Sequence, residues 1–210
     1  MTKTLDNIAV IGAGAWGTAL AQVLAEAGRN VTLYARDKAL ADAIQKIRQN
    51  TVYLPGISLH KNIRATADLA EAVAKAEIIL LVTPAQFFRE TLKRLKPFLQ
   101  TKIPLVNAAK GMEISTGKLL SEITAEILPG YPYAVLSGPT FAGEVAKGLP
   151  AAVTLATRMP EGDAQILAQS LSGKTLRPYL SPDPVGAEIA GAVKNVIAIA
   201  SGIVEGKGLG

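Results

Sequence analysis

The segment Ile8-Ala9-Val10-Ile11-Gly12-Ala13-Gly14-Ala15-Trp16-Gly17 constrains this chain more than any other. Its first four residues form an unbroken apolar run, the pattern of a strand buried on both faces. The run passes through glycines into a stretch with Leu20, Val23, Leu24 and Ala27 at helical spacing, ended by Gly28. The glycines fit G-x-G-x-x-G in the strand–turn–helix setting that gives the pattern its meaning. There Gly12 permits the tight turn, Gly14 lets backbone approach a pyrophosphate, and Gly17 lets helix and strand pack closely, with phosphates at the helix N-terminus. The competing reading is an ordinary glycine-rich turn.

Short β-type runs alternate with helical patterns along most of the chain. Val31 to Tyr34, Ile78 to Val82, Pro104 to Asn107, Ala134 to Leu136, Ala151 to Ala156 and Thr175-Leu176 read as strands. Helices are expected around Ala39 to Ile47 and Phe87 to Leu95, with an irregular loop at Tyr53-Leu54-Pro55-Gly56. This order predicts an α/β fold, a Rossmann-like doubly wound and mainly parallel sheet, over residues 1–182. Ser181-Pro182-Asp183-Pro184 is a turn and helix-start signal. Beyond it, Ile189, Val193, Val196, Ile197, Ala200 and Ile203 share one helical stripe, so 183–210 is expected to be the first helix of an all-α C-terminal domain.

Composition narrows the chemistry. Of 210 residues, 49% are hydrophobic and 19% charged, which is incompatible with a disordered chain. Cysteine is absent and His60 is the one histidine, so thiolate chemistry and zinc ribbons are excluded, no metal site is expected, and a reducing, cytoplasmic setting is the natural home. The formal charge of +5 comes from cations scattered from Lys3 to Lys207, without blocks or interleaved aromatics, which argues against nucleic acid but suits a small phosphorylated ligand. Ile8 to Ala25 is too interrupted by glycine for a secretory signal, and Val185 to Val204 carries Glu188, Lys194 and Asn195, so no stable membrane insertion is expected.

Four sets of residues can carry chemistry. Asp37, twenty positions after Gly17, could bind a ribose 2′-hydroxyl; Arg36 before it could instead accept a 2′-phosphate and favour NADP over NAD, or the two could form a solvated pair. Lys194, among Ala190, Gly191, Ala192, Ile197 and Ala198, is either a lysine with a packed stem or a partly desolvated ammonium, lowered in pKa and able to exchange a proton with a substrate oxygen. Lys110, just after a strand, would point from the C-terminal edge of the sheet, where ligands bind in such folds, or be a surface loop lysine. Ser137-Gly138-Pro139-Thr140 offers hydroxyls and free N–H groups to an anion, or simply caps a helix.

Together these segments resemble the bacterial-type NAD(P)-dependent glycerol-3-phosphate dehydrogenases. The likeness rests on Val10 to Ala21, on Leu136 to Ala142 continuing through Glu144-Val145 to Gly148-Leu149-Pro150, and on Gly191 to Ala198, with Val82-Thr83-Pro84 and Ala109-Lys110-Gly111 in support. The resemblance implies that Lys194 is the general acid/base and that Lys110 contacts both cofactor and substrate. It implies that Gly138 and Thr140 bind the glycerol phosphate, and that Ala15, Trp16, Arg36 and Ala142 join Gly12, Gly14 and Gly17 around NADP or NAD. Hydride would pass between nicotinamide and dihydroxyacetone phosphate while Lys194 donates a proton. It also implies a homodimer, a role in making the phospholipid backbone, and a helical domain continuing past Gly210, so the chain is expected to be a piece of a longer enzyme. Gly143 departs from a position often basic in the family. The alternatives are another lysine-dependent two-domain dehydrogenase, of ketopantoate reductase or 3-hydroxyacid dehydrogenase type, and a non-catalytic NAD(P)-binding module.

Overall fold

A computed structural model describes residues 4–209. It contains one eight-stranded sheet ordered β3-β2-β1-β4-β5-β6-β7-β8: β1 Asn7–Ile11, β2 Asn30–Tyr34, β3 Ile63–Thr66, β4 Ile78–Leu81, β5 Leu105–Asn107, β6 Tyr133–Ser137, β7 Ala151–Thr157 and β8 Leu176–Ser181. The first six are mutually parallel, β7 pairs antiparallel with β6, and β8 runs parallel to β7. The helices are α1 Ala15–Glu26, α2 Lys38–Ile47, α3 Leu69–Val73, α4 Phe88–Leu95, α5 Leu120–Ile127, α6 Ala142–Ala146, α7 Glu161–Leu171 and α8 Pro184–Gly206.

The pleat of β1 divides the core in two. Ile8 and Val10 face one layer with Leu20, Leu24, Val31 and Leu80; Ala9 and Ile11 face the other with Ile79, Leu81, Phe88 and Leu92. A strand covered on both faces needs apolar residues throughout, and Ile8 to Ile11 are all at most 1% exposed. The expected fold class is therefore present. The sequence assigns no element to β3, α3, α5 or α7, and it stops the last strand at Leu176, whereas β8 continues through Pro178. Proline is tolerated there because β8 closes one edge of the sheet, where one row of N–H groups has no strand to meet.

The reversal at β7 determines where α8 starts. Ser137, at the C-terminal end of β6, pairs with Thr154, while Ser181, at the end of β8, pairs with Ala156 nearer the opposite edge. The chain therefore leaves the sheet on the side away from the glycine loop. Asp183 caps the new helix, its Oδ1 accepting from Gly186 N at 2.9 Å, and Pro184 occupies the first turn as expected. α8 then climbs back along β6 and β7. By length and hydropathy α8 would suffice to cross a membrane, yet its first turns are tied to the sheet by polar contacts and its apolar stripe, including Val196 and Ile197, is exposed.

Candidate nucleotide and substrate site

Gly12 adopts φ +126°, and a Cβ there would lie 2.8 Å from the Val82 carbonyl oxygen. A Cβ on Gly17 would come within 1.9 Å of the Gly12 carbonyl oxygen. Both glycines are thus required by the close approach of β1, β4 and α1. Gly14 differs: nothing stands within 4 Å of where its Cβ would be, and it caps α1 with extended backbone and no side-chain bond. The first turn of α1 consequently presents N–H groups across an open cradle, which suits a pyrophosphate.

Asn50, fully buried, braces this loop. Its Nδ2 donates to Ala13 O at 2.9 Å and to Thr18 Oγ1 at 2.8 Å, and its Oδ1 accepts from Tyr53 N at 3.1 Å. No motif in the sequence marks Asn50; only its place before an irregular loop hints at a polar anchor.

Two cavities adjoin the C-terminal edge. One of about 300 Å³ is lined by Trp16, Thr83, Lys110, Thr140 and Ala142, among others. Among the described residues, Thr83 Oγ1 is the one buried side-chain polar atom lacking a hydrogen-bond partner. A second cavity, about 490 Å³, is lined by Lys110, Ser137, Gly138, Gly191 and Lys194 with residues of β7 and α8. Lys110 borders both. A larger hollow of about 810 Å³ beyond β2 and β3 holds none of the expected site residues.

The remaining candidates fall around these spaces. Gly138 packs on β7, where a Cβ would lie 2.9 Å from Val153 Cγ1, so packing alone demands glycine. Ala142 opens α6, which packs against α1 and so brings Ala142 beside Trp16. Arg36 lies apart from both cavities at the end of β2, its guanidinium 5.8 Å from the ring centroid of exposed Phe87. Asp37 is committed elsewhere: its carboxylate caps α2, accepting from Ala39 N at 2.8 Å and Leu40 N at 3.4 Å.

Both lysines reach solvent at their tips. Desolvation between the cavities lowers Lys110, and the Lys194 charge beside it lowers it further. Lys194 Nζ sits 5.6 Å from the centroid of Phe141. The loop carrying Lys110 is held from outside. Gln86 Nε2 donates to Met112 O at 2.7 Å, Gln86 Oε1 accepts from Ile114 N at 3.0 Å, and Arg89 makes a two-pronged pair with Glu113 at 2.8 and 2.9 Å. That pairing, with a Thr116 hydroxyl bond, holds the Glu113 carboxyl down at about 2 and raises Arg89.

Comparison with known proteins agrees with this geometry. Residues 7–162 match the N-terminal model of NAD-dependent glycerol-3-phosphate dehydrogenase, and residues 183–210 match the C-terminal model of the same family. The chain is 55% identical to a glycerol-3-phosphate dehydrogenase (NAD(P)+) of Parvibaculum lavamentivorans over all 210 residues, covering 62% of that protein. It is 54% identical to the same enzyme of Rhodospirillum rubrum, again over 100% of this chain and covering 60% of that one. The crystal structure of glycerol-3-phosphate dehydrogenase from Coxiella burnetii superposes with TM-score 0.89 at 38% identity, over 98% of this chain and 63% of the other. The chain thus spans about three fifths of the length of these relatives. With its glycine cradle, its pair of lysines and these matches, the chain belongs to the NAD-dependent glycerol-3-phosphate dehydrogenase family.

Proposed function

We propose that the protein to which this chain belongs interconverts sn-glycerol 3-phosphate and dihydroxyacetone phosphate with NAD(P), supplying the glycerophospholipid backbone in the cytoplasm as a homodimer. The observation that carries the reading is Lys110 bordering both cavities, with Lys194 facing it across the larger one. The nicotinamide cofactor, when bound, exchanges a hydride with the substrate carbon. Gly12, Gly14, Ala15, Trp16 and Gly17 hold its pyrophosphate at the start of α1, and Ala142 closes the far side of that space. Gly138 and Thr140 offer backbone and hydroxyl groups to the substrate phosphate. Lys194 gives a proton to the developing alkoxide and takes it back in reverse, while Lys110 adds positive charge near the same oxygen.

NADP is the preferred cofactor on this reading. Asp37 commits its carboxylate to the α2 cap, whereas Arg36, over the Phe87 ring and with no ion pair among the described residues, can meet a 2′-phosphate beyond the end of β2. Residues 1–182 form the nucleotide-binding domain, and 183–210 begin the helical substrate domain.

The test uses Trp16, the single tryptophan, as reporter. Saturable quenching by NADPH, with reduction of dihydroxyacetone phosphate by the full-length protein, supports the reading; Lys194→Ala should leave quenching intact and lower kcat by at least about a hundredfold. Reduction of ketopantoate but not dihydroxyacetone phosphate would overturn the substrate, and binding with no turnover would make the site a non-catalytic nucleotide module.

A further inference from the structure

α8 is mostly apolar, yet only two of its 23 residues are buried, Pro184 and Glu188. Glu188 is 5% exposed, and four hydrogen bonds satisfy it. Its Oε1 accepts from Asn107 Nδ2 at 3.3 Å, Ser121 N at 3.0 Å and Tyr133 Oη at 2.7 Å; its Oε2 accepts from Ser121 Oγ at 2.5 Å. These donors come from β5, α5 and β6. Ser121 lies in the first turn of α5, where the helix dipole favours an anion. Burial and the neighbouring carboxylate push the Tyr133 hydroxyl well above its ordinary range, so it remains a donor.

An apolar residue would suffice if α8 only had to be covered, since a buried charge is expensive. Four directional bonds do something burial cannot: they fix both the rotation of the helix and its height along the sheet. One turn on, the helix passes beside the site at Gly191, where a Cβ would make ordinary contact with Ser137 Oγ at 3.5 Å and Lys110 Cγ at 3.8 Å. Lys194 follows about 9 Å along the axis from Glu188. We propose that Glu188 is a positioning residue, the bolt that sets the register of α8 on the nucleotide domain and thereby holds Lys194 beside Lys110 over the substrate cavity. Its kinetic consequence rests on the reading of Lys194 as acid/base; its geometric consequence does not.

The two are separated by titrating lysine ammonium groups by NMR in the full-length protein, with signals assigned through Lys110→Arg and Lys194→Arg. In Glu188→Ala, Lys194 loses its place, so the Lys110 midpoint should rise towards the ordinary lysine range as a neighbouring charge leaves. The kcat for dihydroxyacetone phosphate should fall on the order of 10- to 100-fold, as expected for a misplaced catalytic group. The Kd for NADPH, read from Trp16, should stay within about twofold because the glycine cradle is untouched. Glu188→Gln keeps an oxygen for three donors and offers an amide to Ser121 Oγ, so it should restore both the wild-type midpoint and most of kcat. An unchanged Lys110 midpoint in Glu188→Ala overturns the proposal, as does equal loss in the Gln and Ala variants. Should Glu188→Ala fail to fold, Glu188→Asp decides: its shorter arm must shift the midpoint in the same direction, and no shift overturns. Turnover surviving Lys194→Met would refute the acid/base reading while the Lys110 titration still judges Glu188.

Discussion

Asn50 Nδ2 donates to the carbonyl of Ala13 at 2.9 Å, so a side chain 37 residues away holds the middle of the glycine loop. The same amide reaches Thr18 Oγ1 in the second half of the first turn of α1. Asn50→Ala leaves a buried carbonyl and a buried hydroxyl without this donor, which should cost about 1–3 kcal/mol of stability in urea unfolding. Because Ala13 lies between Gly12 and Gly14, the Kd for NADPH from Trp16 quenching should also rise several-fold. Stability loss with unchanged Kd would show that the loop keeps its shape without the brace.

The glycines of the loop should separate by substitution. Gly17→Ala places a methyl 1.9 Å from a carbonyl oxygen and should destabilise by about 3 kcal/mol or more. Gly14→Ala meets no protein atom within 4 Å and has ordinary extended backbone, so its stability should change by no more than about 0.5 kcal/mol. Its methyl nevertheless enters the space proposed for the pyrophosphate. Thermal unfolding compared with Trp16 titration would distinguish a folded non-binder at position 14 from an unstable protein at position 17.

Arg36→Ala should weaken NADPH about tenfold while leaving NADH nearly unchanged, the difference expected from losing a charge-assisted contact to a 2′-phosphate. An unaltered ratio of the two affinities would remove Arg36 from the nucleotide site. Asp37→Ala should act on stability instead, costing about 1 kcal/mol through the lost α2 cap.

Glu113 contributes to acid sensitivity. Its carboxyl is held at about 2 against an ordinary 4.5, so the folded state favours the ionised form. The stabilisation is present above the ordinary value and is lost as pH falls from about 4.5 towards about 2. Glu113→Gln should therefore be less stable than the wild type at pH 6, with the difference shrinking as pH approaches 2. Urea midpoints across that range would check it; a constant difference would mean that packing, not charge, carries the contribution.

Much of this was legible in the chain. Ile8 to Gly17 specifies strand, turn and helix because every residue agrees with its place, and Ser181 to Pro184 marks the start of α8 for the same reason. The edge strand β3 escapes notice because Ile63-Arg64-Ala65-Thr66 is short and its Arg64 is exposed. α5 and α7 carry helical spacing at Leu120, Ile123 and Ile127 and at Ala164, Leu167 and Leu171, but lie among polar residues that dilute the pattern. The site shows a sharper divide. Gly12 and Gly17 announce themselves through local context, and Lys110 is marked only by following a strand, whereas Asn50, Glu113 and Glu188 act through partners distant in sequence, and nothing nearby in the chain says which atoms they will meet.

The bond between Tyr133 and Glu188 also marks where the chain can change length. Each residue of an α-helix turns about 100° and rises about 1.5 Å. One residue inserted between Ser181 and Asp183 could be absorbed by the turn, because Glu188 would still find Tyr133, Ser121 and Asn107 and the helix above it would keep its phase. The same insertion between Glu188 and Lys194 would leave the bolt in place and swing the ammonium about 100° away from Lys110. Relatives of this chain should therefore vary in spacing before the buried carboxylate and keep six residues from it to the lysine.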